Sequence, residues 1–215
     1  MTTVAIMQPY FYPYAGYFRL FSRADLFVLY DCVQFPRRGW VHRNRLTGAD
    51  GQLQWLTLRL VHAPQDTAIR DMRLEPSAME QLAADLRRFP ALDGTGPRLH
   101  AWLPLLEGGA TLVDYLERNL QAVLDRLGIA CPMVRSSSLD IDPALRGQQR
   151  ILAIARRLGA TRYLNAPGGR DLYDADAFSR EGIALEFLEP ATGGQASLLE
   201  RLCSEDPESI RADAR

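Results

Sequence analysis

The feature that most constrains the fold is the run TVAIM at residues 3–7, apolar and rich in β-branched residues, which stops at Gln8-Pro9. A short run with no polar alternation reads as a strand buried on both faces, and proline, which lacks an N–H, ends a central strand. That makes it a buried first strand. The following residues carry that pattern on. YFYPYAG is a turn-rich aromatic loop, YFRLFSRA places Phe18, Leu20 and Phe21 on one helical side, and LFVLYD gives a second strand.

Further along, ACPMVRSSS reads as a strand. DPALRGQQRILAIARRLGA reads as a helix with Asp142 as N-cap and Pro143 at its first position. TRYLNA is a strand, PGG turns into a helix near 171–180, and GIALEFLEP is a last strand. Four strand-to-helix transitions predict an α/β fold with an open, mainly parallel, Rossmann-like sheet.

Two segments interrupt it. WVHRNRLTGADGQLQWLTLRLV, from residue 40, is a β-hairpin around Gly-Ala-Asp-Gly, with Val41, Arg43 and Arg45 on one side and His42, Asn44 and Leu46 on the other. A helical central segment follows. Its two helices, PSAMEQLAADLRRF and TLVDYLERNLQAVLDRLGI, are joined by glycine-rich stretches, and the second stops at Gly128. The 215 residues thus read as a single domain, 1–215, with a helical and hairpin insertion over about 40–127. The tail SEDPESIRADAR reads as a last surface helix or a frayed end.

Composition narrows the chemistry. A formal net charge of -1 argues against a nucleic-acid or membrane-surface partner. All 25 basic residues are arginine, so a lysine base or Schiff base is excluded, and anions must be met by guanidinium groups or backbone N–H. Cys32, Cys131 and Cys203 are too few and too scattered for a disulfide framework, and with no apparent signal or membrane-spanning segment they predict a soluble cytoplasmic protein. His62 and His100 lack metal-ligand spacing, so no metal site is expected, and the residues specify no cofactor.

Three blocks, IMQPYFYPYAGYFRLFSRADLFVLYDCVQF, GWVHRNR and YLNAPGGRDLYDADAFSREGIALEFLEP, resemble the WbqC-like protein family in sequence and order. The resemblance covers residue 4 to about 195. Its motif falls on Gln8, Pro9, Gly16, Tyr17, Asp31, Gln34, Trp40, Arg43, Asn44 and Arg45, then on Gly168, Gly169, Tyr173 and Asp174. The resemblance implies a role in making O-antigen, other surface polysaccharides or specialised metabolites. It does not imply a reaction between Cys32 and His42, whose positions often hold other residues in the family.

The chemistry-bearing residues gather at predicted strand ends, where open α/β sheets bind ligands. Gln8 and Tyr10 offer polar and stacking contacts, and Asp31 is a base, an orienter of an arginine or a cation ligand. Gln34, Trp40, Arg43, Asn44 and Arg45 line the substrate side, with Arg43 and Arg45 as an anion clamp. Asn165, Gly168 and Gly169 offer close backbone approach, and Ser136–Leu139 adds hydroxyl donors at another strand end. The leading expectation is a group-transfer enzyme for a small anionic or sugar-like substrate, free or bound to a carrier protein. Two alternatives differ in class: acyl transfer or hydrolysis through Cys32 with His42 as its base, and a noncatalytic scaffold that binds a sugar or carrier protein.

Overall fold

The computed structural model describes residues 1–92, 111–191, 194 and 196–214. The glycine-rich joints between the two central helices, and His100, lie outside them.

Five strands form one sheet: β1 (Thr3–Met7), β2 (Leu26–Leu29), β5 (Met133–Arg135), β6 (Arg162–Asn165) and β7 (Ala184–Phe187). Their order is β5-β2-β1-β6-β7, and every neighbouring pair is parallel. The first strand lies at the centre. In register, Val4 faces Leu26 on one side and Tyr163 on the other.

Alternation along β1 divides the core into two layers. Val4 and Ile6 pack with Val28 and Tyr163 against Ile151 and Ile154 of α4 (Gly147–Arg157) and Phe178 of α5 (Ala175–Arg180). Ala5, Phe27, Leu29 and Leu164 join the other layer, with α1 (Ala15–Arg23), α2 (Ala78–Leu86) and α3 (Leu112–Leu127). The ends of α3 follow its sequence: Thr111 and Asp114 form a reciprocal capping box, and Gly128 closes the helix at φ 60°.

Between β2 and β5 the chain leaves the sheet. It forms the antiparallel hairpin of β3 (Arg43–Thr47) and β4 (Leu53–Thr57), with Arg45 opposite Trp55. Asn44, Leu46 and Leu56 point inward and are buried, whereas Arg43, Arg45 and Trp55 face outward. The predicted alternation holds from Arg43 onward but fails at Val41, which is buried in the bend before the strand.

Two boundaries differ from expectation. The helix expected from Asp142 starts at Gly147, because Arg146 and Arg150 both donate to the Pro143 carbonyl that a helix through Pro143 would use. Gly147 also has φ 49°, outside the helical range, so Asp142 caps only a local turn through Ala144 N. The helix expected near 171–180 is divided into a 3-10 segment, Pro167–Leu172, and the short α5, which Asp174 caps through Asp176 N. Of the two readings of the charged tail, the helical one holds. Ser197 caps α6 (Leu198–Ser204), and α7 (Pro207–Asp213) buries Ile210 against the body.

Candidate functional site at the carboxyl edge of the sheet

Counting only the parallel strands, the order is third, second, first, fourth, fifth. The chain therefore reverses its direction of growth beside β1, and the crossover from β5 to β6 runs through α4. In open α/β sheets the loops leaving the carboxyl ends of strands diverge at such a reversal and open a crevice. Gln8, Asp31, Ser136 and Asn165 follow or end β1, β2, β5 and β6, so all four lie on that edge.

Asp31 is buried beyond the end of β2. Its Oδ1 accepts from Ser136 Oγ and Ser137 N, both at 2.8 Å, and its Oδ2 accepts from Ser137 Oγ at 2.6 Å. Ser136 Oγ in turn accepts from Asp31 N and Cys32 N at 3.0 and 3.2 Å. The carboxylate thus ties the ends of β2 and β5 together. A carboxylate has about four lone-pair sites, and three are filled here.

Because β2 stops at Leu29, Cys32 escapes the strand alternation that would have set it opposite Asp31. Its half-buried sulfur lies 3.7 Å from Arg150 Nη1. His42 packs at a tilt against Phe35, with ring centroids 4.9 Å apart, and its Nδ1 is buried without a partner. Burial, then the Arg43 charge, lowers its pKa to about 4, so the ring is neutral near pH 7. The structure does not bring Cys32 and His42 into a hydrogen-bonded pair.

The hairpin sits over the loop leaving β1. Asn44 is buried, and its Nδ2 donates to the Phe11 and Tyr12 carbonyls at 3.0 and 2.7 Å while its Oδ1 accepts from Arg45 N at 2.8 Å. Ser197 Oγ also donates to the Tyr12 carbonyl, at 2.8 Å. Tyr12 needs this restraint, since its φ of 40° lies in the left-handed region, which is costly for a bulky residue.

Between loop and hairpin lies a cleft of about 180 Å³ lined by Tyr10, Pro13, Tyr14, Trp40 and Asn44. Tyr10 is braced by Tyr17, whose hydroxyl donates to the Gln8 carbonyl at 2.8 Å. On the outer hairpin face Trp40 and Trp55 lie 5.2 Å apart. Arg43 stacks over Trp55 at 4.1 Å and donates to the Arg38 and Gly39 carbonyls, while Arg45 lies over both indoles with its Nε buried and unpaired. The two predicted clamp arginines therefore differ: Arg43 is largely committed to its own loop, and Arg45 retains a donor.

Gln34 points away toward the 64–68 loop, where its Nε2 donates to Gln65 O at 2.7 Å. Asn165 is buried and accepts from Ala166 N at 2.7 Å. A side chain at Gly169 would collide with Asn165, whereas one at Gly168 would meet nothing within 4 Å.

Residues 8–194 match the WbqC-like protein family, a span that runs from the β1 loop through the hairpin to the segment after β7. The chain belongs to this family. It is similar to the uncharacterised protein Rv1507c of Mycobacterium tuberculosis, at 28% identity over 194 residues, covering 88% of this chain and 83% of that one. No solved structure matched the chain. The family span contains every residue of the cleft and of the Asp31 cluster.

Three contributors escaped the sequence reading: Trp55, Ser197 and Arg150. Trp55 and Ser197 carry no local signal, because their partners are distant in the chain. Arg150 does carry one, since it lies four residues before the buried Ile154 and so falls on the apolar stripe of its helix. Among the described residues no helix is long and apolar enough to cross a membrane.

Proposed function

We propose that the protein is a biosynthetic group-transfer enzyme acting on a small polar anionic substrate, sugar-related or acyl/aminoacyl, in the assembly of a surface polysaccharide or specialised metabolite. The observation that carries this reading is the cleft over the carboxyl end of β1, where the tyrosines and Trp40 offer ring faces. Its 180 Å³ is below the usual range for a whole drug-sized ligand, so it suits one ring-sized or acyl-sized group with the rest of the substrate extending along the edge. Aromatic faces with polar tips suit a sugar ring or an aminoacyl chain. Arg45, which is only partly buried, serves as the anion contact, and Asp31 acts as a positioning residue that holds the Ser136–Ser137 turn.

The test is ligand-observed NMR with nucleotide sugars and with acyl or aminoacyl thioesters, followed by mass spectrometry of the mixture for a transferred group. Binding that is lost in Trp40→Ala and Tyr10→Ala, with transfer from one donor class, supports the reading. Binding or turnover that survives both substitutions removes the cleft from it. Tight binding with no turnover for either donor class would favour the scaffold alternative.

A further inference from the structure

We propose that Arg150 and the N-terminal end of α4 form a binding site for a phosphoryl group, in the layer opposite the hairpin. Arg150 is only 7% exposed. Side chains on a helix lean toward its N-terminus, and this one reaches back to Pro143 O at 2.8 Å, before the helix begins, and to Cys32 O at 3.3 Å. The guanidinium therefore lies across the first turn of an eleven-residue helix.

Its contacts leave the charge unbalanced. Two carbonyls, the Cys32 thiol and the Tyr30 hydroxyl, all uncharged, accept from its guanidinium, and Nε–H is buried with no partner. Among the described residues no carboxylate lies within ion-pair distance of Arg150, the first turn of α4 holds no acidic residue, and no side chain caps it. The acids of the flanking loops are turned elsewhere: Asp31 to Ser136 and Ser137, Asp142 to Ala144 N, and Asp174 to Asp176 N and Arg180.

A buried cation at the positive end of a helix dipole, without a counter-charge, is unfavourable on both counts. A bound anion relieves both. The backbone N–H groups of Gln148 and Gln149 have no acceptor and lie in the first turn that the guanidinium crosses, and a tetrahedral oxyanion can accept from both. Space near Gly147 is open, since a Cβ there would meet nothing within 4 Å. Tyr30, which accepts from Arg150, adds no counter-charge, because burial first, then Cys32, pushes its pKa up to about 12 and keeps it protonated. The site does not depend on the group-transfer reading and would exist equally in a noncatalytic protein.

The test is a titration of the intact protein with inorganic phosphate and then diphosphate, at ionic strength matched with chloride, followed by amide NMR. Saturable shifts at Gly147, Gln148 and Gln149 are expected, together with slower alkylation of Cys32 by iodoacetamide when diphosphate is present. Arg150→Gln is expected to weaken diphosphate binding at least about tenfold, the effect of losing one hydrogen bond to a charged group, and Arg150→Lys by less. No saturable shift at those three amides, or wild-type affinity in Arg150→Gln, overturns the proposal. If that variant does not fold, the wild-type amide map and the alkylation rate decide alone.

Discussion

Replacing Asn44 by alanine tests whether its main task is to hold the β1 loop in place. The side chain makes three hydrogen bonds to backbone, two of them to carbonyls of the loop, and all are buried. At about 1 kcal/mol net for each, and with the Tyr12 carbonyl still bonded to Ser197, the loss is about 2–4 kcal/mol. For a chain of this length that corresponds to a fall in Tm of roughly 4–16 °C. Asn44→Asp should be worse, since it removes both donor bonds and buries a charge. The assay is urea denaturation followed by tryptophan fluorescence, which reports on Trp40 and Trp55 of the hairpin region, and by far-ultraviolet circular dichroism for the whole fold. Coincident transitions with a lowered midpoint are expected. Because Asn44 and Ser197 share the Tyr12 carbonyl, a double-mutant cycle with Ser197→Ala should give a coupling of at least about 0.5 kcal/mol. An unchanged midpoint in Asn44→Ala, with ligand binding lost, would refute the positioning role and return Asn44 to direct substrate contact.

Other outcomes follow from single environments. The folded-state pKa of His42, about 4, lies below its ordinary value, so between pH 6.5 and 4 the unfolded chain takes up a proton that the native state refuses. Stability should therefore fall as pH is lowered through that window, and His42→Phe, which keeps the contact with Phe35, should flatten the slope in urea titrations at stepped pH. Gly168→Ala should leave the melting temperature nearly unchanged, whereas Gly169→Ala, forced against buried Asn165, should cost about 1–3 kcal/mol by calorimetry. Iodoacetamide should label Cys32 in preference to the buried Cys131 and Cys203, as peptide mass mapping would show. Cys32→Ser should retain transfer activity, and abolished turnover would shift the chemistry to the thiol.

The sequence made the sheet legible because its strands are short apolar runs with turn residues at each end, and because Thr111, Asp114 and Gly128 act through neighbours in the chain. The start of α4 misled for the same reason that makes it interesting. Asp142-Pro143 is a good local start signal, but two arginine side chains take the Pro143 carbonyl, and no propensity argument weighs that competition. At the site, the sequence indicated the edge but not the roles. Asn44 and Arg43 are polar residues on a hairpin, and nothing local distinguishes one that meets substrate from one that bonds a backbone 33 residues away. Asp31 drew attention as a base, yet its partners are serines more than a hundred residues on.

The clamp on Tyr12 also sets an order of events during synthesis. Its carbonyl is held by Ser197, 185 residues later, and the loop before α1 is further fixed by Leu198 N on Pro13 O. At translation rates of about 5–20 residues per second, the first loop of the chain waits roughly 10–40 s for its last restraint. The aromatic loop of the cleft is thus the first part of the site to leave the ribosome and among the last to be locked. A nascent chain that is stalled or cut before Ser197 would carry a complete sheet with its cleft unset.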